Sequence, residues 1–195
     1  MIRLAKKEDA KQIVPLIVQA IEEIAFMLTG TSSYDEALPI LEYYIRSEKN
    51  RLSYQNCLVK VREDQIIGVI IAYNCTELSV LDREMLEIIS RNLNSKNATV
   101  DKEADDEDFY IDTVSVHPNF QGLGIGTELL NGLLSYAKEI GVNRVSLNVD
   151  QNKPAARRLY EKVGFTYEKV QYIMEHPYDY LVFPIHKKIF ATEVV

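Results

Sequence analysis

The sequence predicts a single α/β domain in which a mixed, twisted sheet of about seven strands is flanked by helices. Three observations carry this. Apolar residues switch repeatedly between strand and helix spacing, in the order βααββ(α)βαβαββ. An alternation of that kind lays helices onto a sheet. The chain has 195 residues, 47% hydrophobic and 26% charged, an ordinary globular balance that can bury a core without disulfides or metals. The sequence holds no internal repeat and no low-complexity segment, so one domain over residues 1–195 is the expectation.

Each element follows from its own pattern. Ile2 to Leu4 reads as a short strand. Glu8-Asp9 opens a helix with negative charge at its N-terminus, and Ile13, Leu16, Ile17, Ala20, Ile21, Ile24 and Leu28 recur along it at helical spacing, with Pro15 inside. Thr29 to Ser33 breaks that helix, and a second is predicted from about Asp35 to Lys49. Cys57 to Val61 and Gln65 to Tyr73 form a hairpin around Arg62-Glu63-Asp64, with a bulge signalled by Gly68. Val80 to Leu93 reads as a helix inserted before the next strand, and the acidic run within 94–108 reads as a solvated loop. Residues 77–108 are therefore a helical and acidic insertion. Phe109 to Val116 is a strand, a glycine-rich turn leads into a helix ending at Ile140 and Gly141, Arg144 to Val149 is a strand, and Lys153 to Val163 a helix capped by Gly164. Phe165 to Glu175 and Tyr180 to Lys188 close the chain as a hairpin.

Composition narrows the classes of function. The formal net charge of −7 disfavours nucleic acid as the main partner, because phosphate binding needs basic surface. No stretch approaches 18 apolar residues and no secretory leader pattern opens the chain. A cytoplasmic protein with reduced Cys57 and Cys75 is expected, without membrane contact. No Cys, His and Asp set has metal-ligand spacing, and no Gly-x-Ser-x-Gly or Walker sequence occurs.

The informative segment is Gln121-Gly122-Leu123-Gly124-Ile125-Gly126-Thr127. Glycines between a strand and a helix let the backbone approach an anion closely and aim N–H groups at it, and the helix N-terminus adds partial positive charge. A tight turn without a ligand is the bland alternative. A degenerate dinucleotide fingerprint is a second, but too little chain follows to build a dinucleotide domain.

These residues resemble the GNAT (general N-acetyltransferase) family. Gln121 to Gly126 fits its motif Gln/Arg-x-x-Gly-x-Gly/Ala, and Val114-Ser115-Val116-His117-Pro118 before it is typical as well. Downstream, Asn152, Ala155, Leu159-Tyr160 and Gly164-Phe165 look like the family's second cofactor motif. The resemblance covers about Tyr110 to Phe165 and implies acetyl-CoA as co-substrate. It implies a pyrophosphate resting on backbone N–H groups of Gln121, Gly122, Leu123, Gly124, Ile125 and Gly126, with Thr127 near a phosphate oxygen. Val114 and Val116 would offer backbone groups to the pantetheine arm beside a strand splay. Asn152 would lie near the pantetheine and cap the following helix. Gln121 stands where many relatives carry Arg.

Two side chains carry the expected chemistry. Tyr160 matches the family's tyrosine that protonates the departing thiolate, with helix–sheet packing as its alternative. Asp112, close to the splay, is the candidate base for the amine, with a salt-bridged or solvated role weighed equally. Asp108, at the strand entrance, is the second candidate base, with a solvated place in the acidic loop as its preferred reading, and water is the third candidate. The function that results is transfer of an acetyl group to a primary amine of a small molecule or peptide, with a non-catalytic acyl-CoA sensor as the rival. Tyr34, Tyr43, Tyr44 and Tyr73, with the acidic residues of 101–108, are the expected acceptor wall, which favours a cationic amine. A homodimer is compatible with this reading.

Overall fold

The computed structural model describes residues 1–185 except Asn97 and Met174. The predicted end of the last strand at Lys188, and His186, lie outside the described residues. Seven strands form one sheet: β1 (Ile2–Leu4), β2 (Cys57–Arg62), β3 (Gln65–Asn74), β4 (Phe109–Val116), β5 (Arg144–Asp150), β6 (Thr166–Ile173) and β7 (His176–Pro184). Their spatial order is β1-β2-β3-β4-β5-β7-β6. Only β4 and β5 run parallel, and the other neighbours are antiparallel. The β2–β3 hairpin turns through Glu63 and Asp64, both at positive φ (50° and 64°), the conformation that a two-residue turn needs to match strand twist.

Helices cover both faces. On one lie α1 (Ala10–Ile21), α2 (Ile24–Thr29), α3 (Tyr34–Arg46) and α4 (Leu78–Asn92), whose Ile13, Ile17, Leu41, Tyr44 and Met85 pack with Val59, Val69 and Ile71 of the sheet. On the other lie α5 (Ile125–Glu139) and α6 (Pro154–Val163), where Leu129, Leu130 and Leu133 pack on Ile70, Ile111 and Leu147. The single helix expected to reach Leu28 is two. The chain turns at Glu22 (φ 48°), whose N–H bonds the Val18 carbonyl. Apolar spacing is kept on both sides of Glu22-Glu23, so periodicity alone hides the break. Pro15 is accommodated inside α1. Ser33 caps α3 by accepting from the Glu36 N–H, while Glu36 accepts from the Ser33 hydroxyl.

The stretch after α4 is where the structure departs most from the sequence reading. Asn94, Asp101, Lys102, Asp106 and Glu107 are exposed as a solvated run would be, but Ala104, Asp105 and Asp108 are drawn onto the sheet. Ala104 packs with Tyr73, Tyr110 and Tyr180. Asp105 pairs with Arg144 and Lys169. Asp108 is only 1% exposed and accepts from Arg144 Nε at 2.6 Å and from the Tyr180 hydroxyl. The solvated reading of Asp108 is thus overturned. The cause is Arg144 at the start of β5, which draws Asp105, Asp108 and Glu168 together. A buried carboxylate persists only with such partners.

Candidate active site

The site begins with a defect in the sheet. The register of β4 with β5 covers Phe109, Tyr110 and Ile111 and ends at the Ile111–Leu147 pair. Beyond it β4 continues to Val116 against β3 alone, while β5 continues to Asp150 against β7. The two strands splay apart. At the same point the β3 register shifts, with Ile71 opposite Thr113 and Ala72 opposite Ile111. Asp112 is the extra residue of this bulge, a device that bends a strand and re-aims a side chain. The His117 N–H bonds the Ile67 carbonyl of β3, so by antiparallel alternation the backbone groups of Val114 and Val116 point away from β3, into the splay. Both side chains pack on the α5 face.

The glycine turn closes one end of this opening. Gly122 and Gly124 have φ of 74° and 81°, and a Cβ on either would meet no protein atom within 4 Å. These positions therefore need glycine for backbone conformation, and they face open space. Gly124 is the N-cap of α5, so the first N–H groups of the helix point into the same space. Gly126 has a different role: its Cβ would lie 3.2 Å from Leu159, so it lets α5 and α6 approach closely. Gly68 does the same between β3 and α5, where a Cβ would meet Leu129 at 3.0 Å and the Ser115 carbonyl at 3.2 Å.

A cleft of about 500 Å³ joins these features. Its walls include Val114, Val116, Gln121, Gly122, Gly124, Ile125, Gly126, Thr127, Ala155 and Tyr160. Leu123 is 62% exposed beside it. Gln121 and Gln19 both donate to the Val116 carbonyl, each at 3.1 Å. Asn152 does not cap α6. The N-cap is Lys153 without a side-chain bond, and the turn is held by Asp150, which accepts from the Asn152 N–H at 2.8 Å. Asp150 thus shapes the turn that precedes the helix without capping it, and Asn152 is exposed.

Tyr160 lies in the cleft wall, its ring edge-on to Phe165 with centroids 6.2 Å apart. Burial pushes its pKa up to about 12. Among the described residues its hydroxyl has no hydrogen-bond partner, so its proton is uncommitted and is held through the neutral range.

The opposite face of the splay is polar. Asp112 accepts from the Tyr73 hydroxyl at 3.1 Å and from Thr113 Oγ1 at 2.8 Å. Tyr73 packs edge-on against Tyr110 at 5.8 Å, and Tyr110 donates to Glu103 at 2.7 Å. Asn148, the first β5 residue past the last β4 pair, donates to the Glu103 carbonyl and to the Tyr110 hydroxyl. Arg51, buried beneath, pairs with Asp82 and lies 3.5 Å from Glu103. Of the four tyrosines expected to line the acceptor side, only Tyr73 is here. Tyr44 is fully buried and donates to the Leu28 carbonyl. Tyr34 stacks near Phe26, and Tyr43 donates to Glu84 on the surface. Arg51 and Asn148 were missed from sequence, whereas Glu103 falls within the acidic residues of 101–108 expected to line the acceptor side, without a role of its own being read for it. Glu103 is hidden in an acidic run, and the one available signal was Asn148, a polar residue inside an apolar strand.

Among the described residues, no helix is long and apolar enough to cross a membrane, and no group of three or more His, Cys, Asp or Glu is placed to hold a metal ion. Residues 18–165 match the Acetyltransferase (GNAT) family. The N-acetyltransferase of Staphylococcus aureus Mu50 is a structural neighbour at 28% identity and TM-score 0.80, with 94% of this chain and all of that chain covered. A second, yncA of Salmonella typhimurium with its cofactor acetyl-CoA, has TM-score 0.57 over 96% of this chain and 94% of its own, and at 16% identity it shows the fold alone. The Probable N-acetyltransferase camello of Xenopus tropicalis is 30% identical over 99 residues, which is 51% of this chain. The chain spans less than half the length of that relative, 45%.

Proposed function

Since this chain belongs to the GNAT acetyltransferase family, we propose that it transfers an acetyl group from acetyl-CoA to a primary amine. The observation that carries the reading is the splay, with the cleft of the glycine turn and α5–α6 on one side of it and the polar cluster around Asp112 on the other. On the α5–α6 face, the turn at Gly122 and Gly124 and the N-terminus of α5 supply donors for a pyrophosphate, in space that a Cβ would invade. The backbone edge of Val114 supplies strand-like bonds for a pantetheine amide. Val116 offers less, because its carbonyl already accepts from Gln19 and Gln121. Thr127 lines the same end, while Asn152 is exposed and is not part of the cleft wall.

Tyr160 is the proton donor for the departing thiolate. Its hydroxyl is neutral at working pH and unbonded within the described protein. Asp112 on the other face attracts the incoming ammonium to the mouth of the splay. Residues 1–195 act as one unit, with 77–108 as an insertion that builds the acceptor face rather than a separate module. The reading is tested by incubating the protein with acetyl-CoA and a panel of primary amines and following thiol release together with amide formation. Amide and thiol should appear in equal amounts. Tight coenzyme A binding with no transfer to any amine would instead favour a sensor.

A further inference from the structure

The insertion places a carboxylate on the acceptor face that no motif predicts. Glu103 is brought there by three contacts: its Oε2 accepts from Tyr110 at 2.7 Å, its carbonyl accepts from Asn148 at 2.7 Å, and its Oε1 lies 3.5 Å from the Arg51 guanidinium. The Oε1–Arg51 separation is too long for a good hydrogen bond. Oε1 is therefore the carboxylate oxygen with spare acceptor capacity. The side chain is 22% exposed, so it is sheltered but reachable.

Asp112, the other carboxylate at the mouth, is differently placed. Both of its oxygens already accept hydrogen bonds, from Tyr73 and Thr113. The two carboxylates are tied through the edge-on pair Tyr73 and Tyr110. Between them, at the first β5 position past the strand pairing, stands Asn148. Its Nδ2 is used twice, and its Oδ1 is buried without a hydrogen-bond partner among the described residues. A buried acceptor left unpaired costs free energy and calls for a donor. Asp112, Asn148 Oδ1 and Glu103 Oε1 are acceptors on this face, with the Arg51 guanidinium 3.5 Å from Oε1 as the charged donor nearest to it, and an ammonium group would bring three N–H donors to them.

We propose that Glu103 takes the proton from the acceptor's ammonium group, with Asp112 and Asn148 Oδ1 holding that group at the splay. This rests on the acetyltransferase reading. The step balances as follows. One N–H bond of the ammonium breaks and its proton passes to Glu103. The freed lone pair forms the N–C bond to the acetyl carbonyl, and the C–S bond breaks. The thiolate takes the Tyr160 proton, the phenolate recovers the second proton lost by nitrogen, and Glu103 returns its proton to solvent. The groups facing Glu103 are consistent with such a role. Burial is the largest influence on its pKa and Asp112 the next, and against the lowering pull of Tyr110 and Arg51 they hold it at about 7, with Asp101 adding a smaller upward push. A base near neutral pH has the greatest use in proton transfer.

The test uses the full chain and Glu103→Gln, which keeps an acceptor for Tyr110. With lysine, spermidine and glycinamide as acceptors, kcat/KM should fall about 10²-fold or more at pH 7. The rise of the wild-type rate with pH, midpoint near 7, should disappear in the variant, and calorimetric affinity for coenzyme A should not change. In parallel, carbon-13 NMR of the Glu103 carboxyl should show titration near 7 that moves downward when spermidine is added. Full activity with an unchanged acidic limb in the variant overturns the proposal. So does a Glu103 carboxyl that titrates in the ordinary range near 4.5 and ignores amines. Failure of wild-type protein to bind coenzyme A sinks the transferase reading instead, and the NMR titration still decides whether Glu103 senses an ammonium.

Discussion

Replacing Gly124 by Val separates the fold from the site. Gly124 has φ 81° and ψ 2°, and a Cβ there points into space free of protein atoms. No core contact is disturbed. The cost to stability is the left-handed backbone, about 1–2 kcal/mol for a residue with a Cβ. For a chain of this size that lowers Tm by roughly 2–8 °C. Binding should suffer far more. A valine side chain at the N-cap of α5 stands where a pyrophosphate would meet the first N–H groups of the helix. Losing two charge-assisted bonds at about 1.5–3 kcal/mol each removes about 3–6 kcal/mol, or about 10²- to 10⁴-fold in coenzyme A affinity. Calorimetry on the variant, with a melting curve as control, measures both numbers. A folded Gly124→Val protein with wild-type affinity would refute the placement of the pyrophosphate.

Tyr160→Phe should lower kcat about 10²-fold with little change in coenzyme A affinity, measured by thiol release; full activity would mean that the ring only packs. Asp108→Asn removes the buried charge facing Arg144. It should destabilise the fold by about 3 kcal/mol, read by urea unfolding, because Arg144 keeps Asp105 and Glu168. Glu103 also sets a pH signature. Its folded pKa of about 7 lies above the ordinary 4.5, so its contribution to stability is fully present below 4.5 and is lost as pH rises through 7. Glu103→Gln should remove that slope, at most about 1.4 kcal/mol per pH unit, in unfolding free energies taken from pH 4 to 8. Neutralising the exposed pair Asp106 and Glu107 should raise KM for a cationic amine modestly and weaken its salt dependence; an unmoved KM would remove long-range steering by this loop.

Legibility followed the range of the interactions. The β4 strand from Phe109 to Val116 and the α5 start at the glycine turn were readable because their signals are local: alternation, glycine spacing and helical periodicity. The Glu22 break was not, since both flanks keep the same apolar spacing. Asn152 looked like an N-cap by residue type, yet Asp150 holds that turn because its carboxylate reaches the Asn152 N–H. The acceptor face was least readable. Asp105 and Asp108 look like a solvated run until Arg144, 36 residues beyond Asp108, is brought against them. Glu103 acquires its setting from Arg51, Tyr110 and Asn148, which lie on three separate segments. Tyr34, Tyr43 and Tyr44 were grouped by residue type, and their helix turns them in different directions, one of them fully inward.

The most direct measurement of the central claim is mass spectrometry of the products formed from isotopically labelled acetyl-CoA and a mixed panel of primary amines. A labelled N-acetyl amide should accumulate with one free coenzyme A per amide formed, and both should vanish in Gly124→Val. Coenzyme A bound at the cleft with no labelled amide from any amine would contradict the assignment of the splay as an acetyl-transfer site.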